Sequence, residues 1–202
     1  MGNDPLDKTD PSGLYACSGN TSDCNQVNNF VSAATKAAGN LDKKSDAYSK
    51  VEKALNYLGK AGDKNGVVLN PASLAKGTLA SAGPNGKINV DVGQISSAAS
   101  KVYGPANPGV SADDLRNGVG GSAVAHEARH EIDFQKNGFP NSKATEYRTE
   151  LNAYKTQIGV ERGLGITGLS NSQMSEEQLS GAAAAGAQRS VDAWCAAGAP
   201  CQ

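Results

Sequence analysis

The stretch SAVAHEARHEID, residues 122 to 133, holds both histidines of the 202-residue chain. His126 and His130 stand four apart, and Glu127 follows the first directly. Two histidines scattered at random through such a chain fall four apart in about 1% of cases, and a glutamate fills the second slot in roughly 4% of those, so chance accounts poorly for the pattern. The spacing has meaning only on a helix, where residues four apart lie on one face, one turn above the other. The local sequence allows that helix. From Ser122 to Gln135 there is no proline and no glycine; Gly120 and Gly121 come before it, and Asn137-Gly138 follows as a stop signal. Ala123, Val124, Ala128 and Ile132 supply apolar surface for burial. A buried helix is what a preorganised metal site needs.

Two imidazoles so placed hold one zinc ion, and Glu127, about 100° further round, reaches a water beside it without being a ligand. The pattern HExxH therefore reads as two zinc ligands, His126 and His130, and a general base, Glu127. A catalytic zinc site needs a third protein ligand and an open position. No histidine remains, and the continuation HExxHxxGxxH fails, because Asp133 fills the glycine slot and Lys136 the last. The next helix, ATEYRTELNAYKTQ at residues 144 to 157, places Glu146, Glu150, Ala153, Tyr154 and Gln157 on one face. Glu150 is the preferred third ligand. Glu146 is the alternative, with Glu150 then supporting from behind. Both could instead pair with Arg148 or Lys155 on a wet face. Asp133, seven residues after His126, is placed to accept a hydrogen bond from a ligand imidazole, or to be a surface acid. Tyr154 is placed to donate to a developing oxyanion, or simply to pack.

Charge excludes one class of partner. The formal net charge is −1 with 19% charged residues, which leaves no electrostatic footprint for nucleic acid. No apolar run approaches the ~20 residues of a membrane span, and the polar start MGNDPLDKTDPSG has no signal-peptide core. Cys17, Cys24, Cys195 and Cys201 form two close pairs at the two ends. Local bridges, crossed bridges, a four-thiolate zinc site and free thiols all remain open, and the even count suggests an oxidising destination or transit.

Elsewhere the pattern predicts helices over 25–38, 45–60, 94–103 and 175–197. The period shifts toward two around GVVLNP and GTLASAGPNGKINVDVG, with PNG as a hairpin signal. Residues 87 to 92 are expected to form the edge strand beside the motif helix, where an extended peptide would bind by strand addition. The fold class expected is α+β: a mostly helical, minimal zincin-like domain with a small antiparallel sheet beside the HExxH helix.

Two stretches carry family resemblances. GNDPLDKTDPSGLY, residues 2 to 15, resembles the end of the Rhs repeat-associated core, whose hallmark D-P-x-G-L appears as Asp10-Pro11-Ser12-Gly13-Leu14. The resemblance implies self-cleavage between Leu14 and Tyr15, with Asp10 in the cutting site. Residues 1–14 would then be a remnant of the Rhs shell and 15–202 a released toxin domain, delivered into a rival cell and blocked by a cognate immunity protein. HEARH with the Glu150 helix, roughly residues 115 to 160, is similar to the HExxH zinc metallopeptidase domains of such polymorphic toxins and to the glutamate zincins. That implies one catalytic Zn2+ and hydrolysis of a protein or peptide substrate. The alternatives are a zinc amidase or endopeptidase on cell-wall peptide, and a non-catalytic binding toxin. The compartment of action, cytoplasm or periplasm, stays open.

Overall fold

The computed structural model describes residues 15–59, 65–169, 174–199 and 201. Among them are six α-helices and four short strands: β1 (Ala16–Cys17), α1 (Thr21–Asn40), α2 (Asp46–Leu58), β2 (Val68–Pro71), β3 (Ala80–Ala82), β4 (Lys87–Val90), α3 (Val92–Ala98), α4 (Ala112–Asn137), α5 (Lys143–Leu164) and α6 (Glu176–Ala196). The chain is a mostly helical α+β fold. Side-chain caps set where the helices start. Asn20, Ser45, Ser111, Ser142 and Ser175 each accept from a backbone N–H of the first turn, which satisfies donors that have no partner inside the helix. Gly165, left-handed at φ 67, ends α5. These caps extend α1 and α5 beyond the segments expected from periodicity.

The motif helix is longer than expected and runs through the centre. It begins at Ala112, so Gly120 and Gly121 lie inside it, not before it. Close packing explains why glycine is there. A Cβ on Gly120 would overlap the Phe30 ring of α1, and one on Gly121 would sit 2.6 Å from the Phe30 carbonyl oxygen. Every residue from Gly118 to His126 is buried. A helix buried on all sides shows no single apolar stripe, so its amphipathic signal is weak. The core around it takes Val27, Phe30 and Val31 from α1, Val51 and Leu58 from α2, Leu69, Ile88 and Val90 from the sheet, and Val160 from α5. A smaller cluster of Ile158, Leu179 and Ala183 joins α6 to α5.

The sheet differs from expectation in two ways. Its order is β1-β2-β4-β3, with β1 and β4 parallel to β2 and only β3 antiparallel to β4. It is mixed, not antiparallel. β4 is an inner strand that ends at Val90, because Asp91 turns to cap α3. Ile88 and Val90 are fully buried, which suits a strand paired on both sides. The edge beside α4 is β3. The expected hairpin between β3 and β4 does form, with Asn85 and Gly86 at positive φ in its turn. The cysteines pair locally, Cys17 with Cys24 and Cys195 with Cys201, so neither bridge crosses between the ends. Residues 1–14, including Asp10 and Leu14, lie outside the described residues. Tyr15 is buried, and its phenol donates to Asn28 Oδ1 at 2.6 Å. No described helix is long and apolar enough to cross a membrane.

Candidate metal centre

The turn after α4 brings α5 back along it, and this hairpin assembles the site. His126 and His130 point their Nε2 atoms at one spot, 3.1 Å apart. Glu150 enters from α5, with Oε1 3.5 Å from His130 Nε2 and Oε2 3.6 Å from His126 Nε2. Each imidazole thus faces a different Glu150 oxygen, and one ligand atom from each of the three residues lies within 4.8 Å of the others, somewhat wider than the about 3.3 Å between ligands of a tetrahedral zinc. Glu150 Oε2 is buried without a hydrogen-bond partner, a cost that a cation would remove. The group is thus fit to hold a metal ion.

Electrostatics bind the three together. Burial alone would push the His130 imidazole down, but the Glu150 hydrogen bond and the charges of Glu127, Glu150 and Glu146 outweigh it and raise its pKa to about 9. Burial pushes the Glu150 carboxyl up, and the two imidazoles more than reverse this, holding it well below the usual carboxylate range. Glu146, also buried and facing the cleft, does not join the ligand cluster. Burial and the Glu150 charge raise its pKa.

Glu127 lines the cleft beside the histidines, and its Oε2 accepts the Ala82 backbone N–H of β3 at 2.7 Å. One turn on, Glu131 accepts from the Tyr57 phenol at 3.2 Å and from the Gly86 backbone N–H. Two successive glutamates of α4 therefore fasten the β3–β4 hairpin over the site. The sequence reading missed Glu131 and Tyr57, because 74 positions separate them and no local pattern links them.

Asp133 does not reach a ligand imidazole. It takes Arg129 in a forked pair at 2.7 and 3.3 Å and Asn152 Nδ2 at 3.0 Å, so it ties α4 to α5 instead. Both histidine Nδ1 atoms are buried without a hydrogen-bond partner. Ring packing orients the imidazoles: Tyr154 meets His126 edge-on at 4.8 Å between centroids, and Phe134 stacks on His130 at 5.5 Å. Tyr154 also shares a 3.1 Å hydrogen bond with Ser190 of α6. The cleft above these residues has a volume of about 560 Å³, within the range of small-ligand sites. One wall is Gly77–Ala82; the other comes from Tyr154, Gln157, Leu169, Arg189 and Ser190. Comparison with protein-family models, curated proteins and solved structures gave no match.

Proposed function

We propose that this protein is a zinc-dependent peptidase acting as a secreted effector toxin, released from an Rhs shell and held in check by an immunity protein that covers the cleft. The observation that supports the enzymatic reading is the convergence of His126, His130 and Glu150 at one point, with Glu127 beside them on an open cleft. His126, His130 and Glu150 would hold the ion, and zinc held there would supply an acidified water and polarise a carbonyl. Glu127 takes the proton from the attacking water and returns it to the leaving amine. Tyr154 stands over His126, where its phenol is placed to meet the oxyanion once it lets go of Ser190. The substrate lies extended along β3. Alternation of the β3–β4 ladder turns the Ala80 and Ala82 backbone groups away from β4, and Ala82 N–H already points toward Glu127. The toxin and Rhs parts of the reading rest on residues 2 to 15 of the sequence alone.

The two disulfides favour a second reading within the same chemistry, an amidase or endopeptidase on cell-wall peptide, since bridges persist in oxidising compartments. The experiment that tests the enzymatic reading is metal content together with peptide hydrolysis. Wild type is expected to carry about one zinc per chain, and Glu150→Ala to lose or weaken it. Glu127→Gln should keep the zinc and lose activity by about 10²–10⁴-fold. A folded Glu127→Gln protein with full toxicity would sink the peptidase reading and leave a binding toxin.

A further inference from the structure

The cleft is lined by three carboxylates, Glu127, Glu146 and Glu150, and among the described residues by a single arginine or lysine, Arg189. Arg116, Arg129 and Arg162 each pair with a neighbouring carboxylate, Asp113, Asp133 and Glu176; Arg148 has no ion pair among the described residues, but it does not line the cleft. Arg189 has no such partner among the described residues and is exposed on the cleft wall. Its position is built, not incidental. Gly186, Arg189 and Ser190 share one face of α6 at helical spacing. A Cβ on Gly186 would sit 2.8 Å from the Tyr154 ring, so glycine lets α6 close onto that ring. Ser190 then bonds the Tyr154 hydroxyl at 3.1 Å.

Arg189 is the one arginine or lysine that the described cleft lining presents to a ligand, across from the three carboxylates. We propose that Arg189 is a specificity residue that binds a carboxylate of the substrate, with a hydroxyl of Ser190 as the neighbouring donor. The cleft thus takes acidic peptides, and this rests on the peptidase reading above. Arginine suits the task because its planar fork meets a carboxylate with two parallel hydrogen bonds. The carboxylate comes either from an aspartate or glutamate side chain near the scissile bond or from a free C-terminus.

The test uses one synthetic random peptide library, made with free and with amidated C-termini. Zinc-loaded wild type, Arg189→Gln and Arg189→Glu proteins are incubated with it, and the cut sites are read by mass spectrometry. In parallel, immobilised zinc-loaded Glu127→Gln protein, with and without Arg189→Gln, captures peptides from the same library. Unchanged zinc content and melting temperature show that each variant is folded. Peptides with a carboxylate within a few residues of the cut are expected to be enriched about tenfold, the equivalent of one charge-assisted pair. Enrichment should vanish in Arg189→Gln and pass to lysine and arginine in Arg189→Glu. Enrichment that survives amidation assigns an acidic side chain, and enrichment lost on amidation assigns the C-terminus. Acidic capture without cutting would support the Arg189 assignment while the peptidase reading fails. Cutting or capture with no acidic preference, a preference unchanged in Arg189→Gln, or neither cutting nor capture would overturn the assignment.

Discussion

His130 sits among Glu127, Glu146 and Glu150, and these charges keep a proton on the metal-free ring up to a pKa of about 9. A ligand imidazole must be neutral, so zinc and this proton compete for the ring. The sign follows from the direction of the shift. The folded-state value lies above the ordinary histidine value near 6.5, so the charged ring stabilises the metal-free fold fully below about pH 6.5, and that contribution fades as pH rises through about 9. Zinc affinity runs the other way and climbs with pH until about 9. Calorimetry at pH 7.5 in buffers of different ionisation heat should find about one proton released per zinc bound, falling away above pH 9. Zinc uptake without proton release at pH 7.5 would contradict the charged His130.

Among the elements, α4 shows most clearly how close packing overrides local preference. Glycine inside a helix costs about 1 kcal/mol relative to alanine, so Gly120→Ala ought to stabilise. The Phe30 ring occupies the space that the new Cβ needs. Overpacking a core costs about 1–3 kcal/mol, which is enough to reverse the sign. Gly181 of α6 is the matched control, exposed and with nothing within 4 Å of its Cβ position. Denaturant midpoints should move down for Gly120→Ala and up, by about 0.5–1 kcal/mol, for Gly181→Ala. If Gly120→Ala also stabilises, the α1–α4 approach is looser than described.

The same contrast decides what was legible beforehand. HEARH and the Glu146–Glu150–Tyr154 face were readable because helical spacing alone puts each set on one side of a helix, and the α4–α5 hairpin then brings the two sides together. Where α4 begins was not readable, since Gly120 and Gly121, which the local sequence places before the helix, are admitted into it by packing on Phe30, about 90 residues away in sequence. The edge strand was misplaced because alternation marks Ile88 and Val90 as inward but does not say how many neighbours the strand has. Asp133 shares the histidine face, as expected, yet Arg129 one turn before it and Asn152 on α5 take both of its oxygens first.

At the scale of the whole molecule, the question is whether the fold depends on its disulfides. Each bridge closes a short loop, with sequence separations of 7 and 6 residues. Chain-entropy reasoning gives about 2 kcal/mol for loops this short. No bridged cysteine lies in α4 or α5, which carry every proposed ligand; one bridge fastens β1 to the start of α1, and the other the end of α6. Together they stabilise by about 4–5 kcal/mol at most, and a chain of this size loses about 2–4 °C of melting temperature per kcal/mol. Reduction and alkylation should therefore lower the melting temperature by about 10–20 °C at most and leave zinc stoichiometry unchanged. Under that outcome a reducing cytoplasm does not disarm the site, and the target compartment is set by where the substrate lies. If zinc is instead lost on reduction, the metal centre depends on the bridged ends, and action in an oxidising compartment, with the cell-wall reading that goes with it, becomes the consistent one.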